Sequence, residues 1–152
     1  MAAHVVVEDP PDPADLALLE ERVAAAAVAA TGAADEQEFG IFVRGPAGEL
    51  TAGISGIVAG GGCELTALWV EEADRGRGIA RALLAAAEAE ARRRGCAHVT
   101  FHTYDVLTHR LFERLGYRTA GVIDGAFAGT AVRWYHKELS TDHNTRSTGG
   151  RP

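Results

Sequence analysis

Two periodicities divide the chain, and their order is its first legible property. His4 to Glu8 is a valine run between polar ends and predicts a short opening strand. Asp12-Pro13-Ala14-Asp15 then supplies a capping carboxylate, a proline for the first helical position and an acid at the third. Leu16, Leu19, Val23 and Ala27 follow at helical spacing, so a helix is expected to reach about Ala30 and stop at Gly32. Phe39 to Arg44 and Glu49 to Ala59 read as strands joined through Gly45-Pro46-Ala47-Gly48. The glycines Gly60 to Gly62 lead into a third strand, Cys63 to Val70, and such successive strands on short turns predict an antiparallel meander.

Helical spacing returns at Ile79, with Leu83, Leu84, Ala87 and Ala91 on one face, and Gly95 follows as a C-terminal cap. The pairs Glu88/Arg92 and Glu90/Arg94 are expected on the solvent side. Ala97 to Tyr104 reads as a strand, and arriving after a helical crossover it is expected to run parallel to the Cys63–Val70 strand. A short helix near Thr108 to Leu115 ends at Gly116. Tyr117 to Ile123 and Ala131 to Leu139 form a last strand pair, with a flexible Asp124–Gly129 loop between them. Residues 140–152 are polar and aperiodic, which predicts a disordered tail after one domain over residues 1–139. The class is mixed α/β, in the order β-α-β-β-β-α-β-α-β-β.

Composition narrows the function classes. At 152 residues, with 47% apolar and 24% charged residues, the chain can bury its own core. No apolar run approaches the ~20 residues of a membrane span, and Met1-Ala-Ala-His lacks the features of a signal peptide, so a cytoplasmic protein without membrane partners is expected. A net charge of −6 argues against nucleic acid as the main partner. It weakly favours cationic or amine partners, and solubility alone is the stronger reading. Arg92-Arg93-Arg94 is a basic run that fits the last turn of a helix, where cations oppose the dipole. Cys63 and Cys96 are read as buried thiols, and the six histidines show no ligand spacing, so no metal is expected.

The segment with the most chemistry is Arg75-Gly76-Arg77-Gly78-Ile79-Ala80, lying between an apolar strand and a helix start. Glycines allow a close backbone approach, and the following helix aims unpaired N–H groups at the same point, which suits phosphate. A Walker loop is excluded because no Gly-Lys-Ser/Thr follows. A dinucleotide fingerprint is disfavoured by Arg81, by the meander and by the position in the chain.

The remaining pattern, Arg/Gln-x-x-Gly-x-Gly/Ala, is met by Arg75, Gly78 and Ala80, with Leu68-Trp69-Val70 upstream. Downstream stands Leu111-Phe112-Glu113-Arg114-Leu115-Gly116-Tyr117. With both motifs in this order the chain resembles the GNAT superfamily of acyl-CoA-dependent N-acetyltransferases. The resemblance covers about residues 4–139 in element order and is sequence-specific over Glu64 to Tyr117.

The resemblance implies a central, mostly antiparallel mixed sheet flanked by helices. It implies acetyl-CoA as co-substrate, held by Arg75, Gly76, Arg77, Gly78, Ile79, Ala80 and Arg81 at the pyrophosphate, and by the strand edge of Leu68, Trp69 and Val70 along the pantetheine arm. Trp69 also fits as core filler. Glu64 matches a general base, with Glu71 and Glu72 as alternatives and a plain surface carboxylate as the other reading. The backbone N–H of Val70 would polarise the carbonyl.

The tyrosine that serves as general acid in the family falls on Phe112, which has no proton to give, and Asp105 and Thr108 replace the usual asparagine and alanine. Tyr104 is the candidate substitute, and equally a packing residue; His102 and His109 are further candidates. The implied activity is acetyl transfer to a small-molecule amine in a ternary complex. Transfer to protein or peptide amines and a non-catalytic acyl-CoA-binding module are the alternatives, and a homodimer is implied by analogy alone.

Overall fold

Residues 4–33, 36–104 and 109–140 are described by the computed structural model. The chain groups into two units, residues 1–35 and 36–152.

The first unit is built on helix α1, Pro13–Thr31. Its start is fixed as the sequence dictates: Asp12 is extended and its carboxylate accepts the Ala14 N–H at 2.8 Å. Its end is Gly32, at φ +66°, whose N–H donates to the Val28 carbonyl. The opening strand expected over His4 to Glu8 does not form; these residues are coil, with Val5 and Val7 exposed. A β-branched run favours extended backbone, but a strand also needs a partner's hydrogen-bonding edge, which composition does not specify.

The second unit contains strands β1 (Gln37–Arg44), β2 (Leu50–Ala59) and β3 (Gly62–Val70), then helix α2 (Ile79–Arg93) and strand β4 (His98–Thr103). Helix α3 (His109–Arg114) and strands β5 (Arg118–Phe127) and β6 (Thr130–Glu138) complete it. One six-stranded sheet runs in the order β1-β2-β3-β4-β6-β5, antiparallel except for β3 and β4. The expected parallel pair is therefore present, on the far side of the α2 crossover. Gly60 and Gly61, at φ +56° and +81°, make the two-residue β2–β3 turn, which only residues at ease with positive φ can form.

Helices α2 and α3 cover one sheet face. Leu83, Leu84, Ala87 and Ala91 are buried there with Ile54, Cys63, Leu65 and Val99. Phe112 of α3 meets Phe101 edge-on at 4.5 Å. The expected Asp124–Gly129 loop is largely strand instead: β5 continues to Phe127, and Ala128 and Gly129 alone turn the chain, both at positive φ. Glycines there read as a loop, but Gly125 sits where the β5–β6 register shifts, a place for an irregular backbone. The expected tail lies outside the described residues from 141 onward, as do Asp105 and Thr108.

Glu88 also departs from its expected place. Expected on the solvent side, it is 7% exposed, and both carboxylate oxygens accept from the Lys137 ammonium, at 2.8 and 2.9 Å. The Tyr117 hydroxyl donates to it at 3.0 Å, and Lys137 also donates to the Leu115 carbonyl. Arg92 reaches it only at 3.4 Å. The Glu90–Arg94 pair forms as expected, at 2.7 Å.

Cys63 and Cys96 are buried free thiols. Burial, with a smaller contribution from neighbouring Cys96, pushes the Cys63 thiol up to about 11 from an ordinary 9.0. Thiolate is the reactive form, so alkylation of Cys63 at pH 8 is expected to run about a hundredfold slower in the native protein than in urea. Mass spectrometry of iodoacetamide-treated samples checks this; equal rates would contradict the burial.

Candidate functional site

The site begins as a fork in the sheet. β3 and β4 pair only through Gly62–His98, Cys63–Val99 and Glu64–Thr100. Beyond Glu64, the β3 register against β2 shifts between Ser55 and Gly56, placing Leu65 and Ala67 opposite neighbouring residues and leaving Thr66 extra. An inserted residue bends the strand that carries it, so β3 diverges from β4 at this point. Its edge from Leu65 to Val70 then has no pairing with β4, an arrangement that an extended ligand can complete as a strand would.

At the end of that edge stands the glycine loop. The turn Glu72–Asp74 is a short 3₁₀ helix. The Arg75 guanidinium donates to the Val70 carbonyl at 3.2 Å, and Arg77 pairs with Asp74 at 2.9 Å, so these arginines tie the loop to the strand and to itself. Gly76 and Gly78 lie at φ +77° and +82°, and a Cβ built on either meets nothing within 4 Å. The glycines are thus required by backbone geometry, and the space above them is open.

Helix α2 starts at this loop without protection. Its cap is Gly78, with no side-chain hydrogen bond and no acid in the first turn, unlike α1 with its Asp12 cap. The Ala82 N–H donates to the Gly78 carbonyl, so the N–H groups of Ile79, Ala80 and Arg81 precede the first helical donor and have no carbonyl of the helix to bond. Uncapped donors, the positive dipole end and the arginines at 75, 77 and 81 together suit a phosphate-bearing group.

Of the residues expected at the site, the His109 side chain lies outside the described residues and the others can be placed. Leu68 and Val70 are half-buried against the core and Trp69 is 44% exposed, paired across β2 with Gly53, so it is not core filler. Glu64 is exposed on the sheet face opposite α2, at the crotch of the fork, whereas Glu71 caps the 3₁₀ turn through its side chain and Glu72 lies within it. Tyr104 follows β4 and is 47% exposed, its ring against Phe127 and His102. Phe112 is 3% exposed and packed among Phe101, Tyr117 and Tyr135, so it belongs to the core. Sequence reasoning missed Trp134 and Phe127, which join His102 and Tyr104 on the open face. Their signal, one aromatic directly across from His102 on β6 and another beside Tyr104 at the end of β5, is legible only once the strand order is known.

Among the described residues no cluster of His, Cys, Asp and Glu is placed to hold a metal, and no helix is long and apolar enough to cross a membrane.

Comparison with known proteins agrees with this geometry. The sequence model of the acetyltransferase (GNAT) family matches residues 7–117. An acetyltransferase of Agrobacterium fabrum is 35% identical over 108 residues, 71% of this chain and 79% of that protein. The blasticidin-S acetyltransferase of Streptomyces morookaense is 33% identical over 102 residues, 66% of this chain and 75% of that protein. A crystal structure from Agrobacterium tumefaciens, assigned as an acetyltransferase, is 32% identical and superposes with a TM-score of 0.83, covering 90% of this chain and 99% of the other.

Proposed function

The chain belongs to the GNAT acetyltransferase family and is an acyltransferase, and on that premise we propose that it transfers the acetyl group of acetyl-CoA to the primary amine of a small molecule, directly, within one ternary complex. The observation that carries this reading is the fork: an unpaired strand edge that leads into an uncapped, glycine-lined helix start. Its two parts match the two parts of coenzyme A, an amide-bearing arm and a pyrophosphate. The blasticidin-S acetyltransferase, whose name gives it a small-molecule substrate, supports the acceptor class.

In this reading the Leu68–Val70 edge aligns the arm, and the N–H groups from Arg77 to Arg81 hold the pyrophosphate. Acetyl-CoA, when bound, supplies an acetyl group activated as a thioester. The protein's own tasks are to orient that carbonyl, with the Val70 N–H beside it, and to deprotonate the incoming ammonium. Glu64 stands at the crotch of the fork and is the base, acting directly or through a water. Tyr104, past the end of β4, is the candidate proton donor to the departing thiolate. With a thiol pKa near ~8.5, thiolate departs without obligatory help, so Phe112 does not bar catalysis. Residues 1–139 are proposed to act as one domain. A cytoplasmic location fits the same reading.

Free-thiol release during incubation with acetyl-CoA and a panel of amines tests it. No turnover on any amine, despite coenzyme A binding, would leave the non-catalytic acyl-CoA-binding module. Glu64→Gln is expected to lower kcat by about 10²–10³-fold near neutral pH, with coenzyme A affinity unchanged. The loss should shrink at alkaline pH, where the amine deprotonates itself. A pH-independent loss would make Glu64 a structural residue.

A further inference from the structure

The sheet face opposite α2 and α3 carries a feature that the cofactor fork does not use. Trp134 of β6 stacks on His102 of β4, ring centroids 5.5 Å apart and planes 29° apart. His102 meets Tyr104 edge-on at 6.0 Å, and Tyr104 packs on Phe127 at 4.7 Å. These rings form one arc, and they are wet: Trp134 is 38%, Tyr104 47% and Phe127 58% exposed. On the other face Phe101 and Tyr135 of the sheet, with Phe112 of α3 and Tyr117 just before β5, show what aromatic residues do when their task is packing, since all are buried. A contiguous exposed aromatic patch calls for a ligand in a way that scattered exposed rings do not.

The arc begins at the fork. Glu64 pairs with Thr100, and His102 is the next β4 residue on the same face, with Trp134 directly across from it. We infer that this arc is the acceptor platform and that the acceptor is an amine joined by a short arm to a planar ring. The inference rests on the acetyl-transfer reading above. An ammonium at Glu64 meets a ring beside His102 after a reach of roughly 7–8 Å, the diagonal between neighbouring strands, which the Glu64 side chain and an arm of a few atoms cover together, and Trp134 lies one strand beyond. The Glu64 carboxylate and the chain's net charge of −6 suit the cationic end. Ring-on-ring contact suits the other end, at centroid spacings like those already present within the arc. The patch is too small for a stable protein partner. Its rings expose roughly 100 Å² each, about 400 Å² together, against about 800 Å² per partner in a standard interface.

The test compares 2-phenylethylamine with 2-cyclohexylethylamine, which match in arm and bulk and differ in planarity. In the wild type, kcat/KM is expected to favour the planar ring by about tenfold, the scale of an aromatic pair. Trp134→Leu and Phe127→Leu should each pull that ratio toward one while coenzyme A affinity, measured by calorimetry, stays unchanged. Two variants guard against one that fails to fold. A ratio near one in the wild type, or a preference that survives both substitutions, overturns the inference and leaves acetyl transfer standing. If no amine is turned over, acetyl transfer fails, and the platform is judged by binding alone: quenching of the two tryptophans by the planar amine and not by its cyclohexyl match upholds it, and equal quenching overturns it. Sedimentation showing a dimer that Trp134→Leu dissociates gives this face to a second copy and also overturns it.

Discussion

Gly78→Val is expected to weaken coenzyme A binding by about a hundredfold, with the fold retained. Two effects act at one atom. Gly78 sits at φ +82°, a conformation that costs an L residue about 1–2 kcal/mol, and more when the side chain is β-branched. The chain can relieve that strain by shifting the cap, and a shift there moves the N–H groups of Ile79 to Arg81 off their common point. In addition, the space above Gly78 is open within 4 Å, so the new isopropyl group occupies the volume that the fork leaves beside the uncapped donors. Losing one or two hydrogen bonds to a charged group, at ~1.5–3 kcal/mol each, accounts for the hundredfold. Calorimetry with coenzyme A measures it, alongside circular dichroism to confirm helix α2. Gly32→Ala is the control: it also replaces a positive-φ glycine, at the end of α1, and should leave coenzyme A affinity alone. Unchanged affinity in Gly78→Val would remove the loop from the binding site.

What the sequence disclosed and what it withheld differ by the range of the interactions involved. Helix α1 was legible at both ends because its caps are local: Asp12 bonds two residues away and Gly32 four. The apolar face of α2 and its glycine-capped start were legible for the same reason. The fork was reachable through the resemblance alone. It depends on a register shift between β2 and β3 and on where β4 stops pairing, neither of which a single strand encodes. His4 to Glu8 misled because valines specify extended backbone without a partner. The Asp124–Gly129 segment misled the other way, since its glycines serve an irregular hairpin as readily as a loop. The aromatic arc joins residues on β4, β5 and β6, so it exists only in the assembled sheet. Glu88 shows the limit most sharply. Its neighbour in sequence, Arg92, suggested an exposed pair, while its true partners lie 29 and 49 residues away.

That network predicts the largest loss of stability in the chain. Glu88→Ala is expected to cost about 3 kcal/mol and to lower Tm by roughly 10 °C. The carboxylate joins α2 to the starts of β5 and the end of β6, through Tyr117 and Lys137, and removing it strands an ammonium and a phenol that folding has drawn out of water. Lys137→Met should be costly too, because among the described residues it leaves buried Glu88 with only Arg92, at 3.4 Å, for a charged partner. The double variant Glu88→Leu with Lys137→Met should recover much of either loss, since a buried pair replaced by apolar groups of similar size is often close to neutral. Additive losses would mean that the two charges do not interact. The pH dependence supplies an independent reading. Burial raises the Tyr117 phenol well above its ordinary value, and the Glu88 charge and hydrogen bond raise it further. The native state therefore keeps this proton where the unfolded chain, titrating near ~10, gives it up. Stability from this group is complete below pH ~10 and declines as pH rises beyond it. Tm measured from pH 8 to 11 should fall at the alkaline end, and Tyr117→Phe should flatten that fall. A wild-type profile that is level through pH 11 would separate Tyr117 from the stability that Glu88 confers.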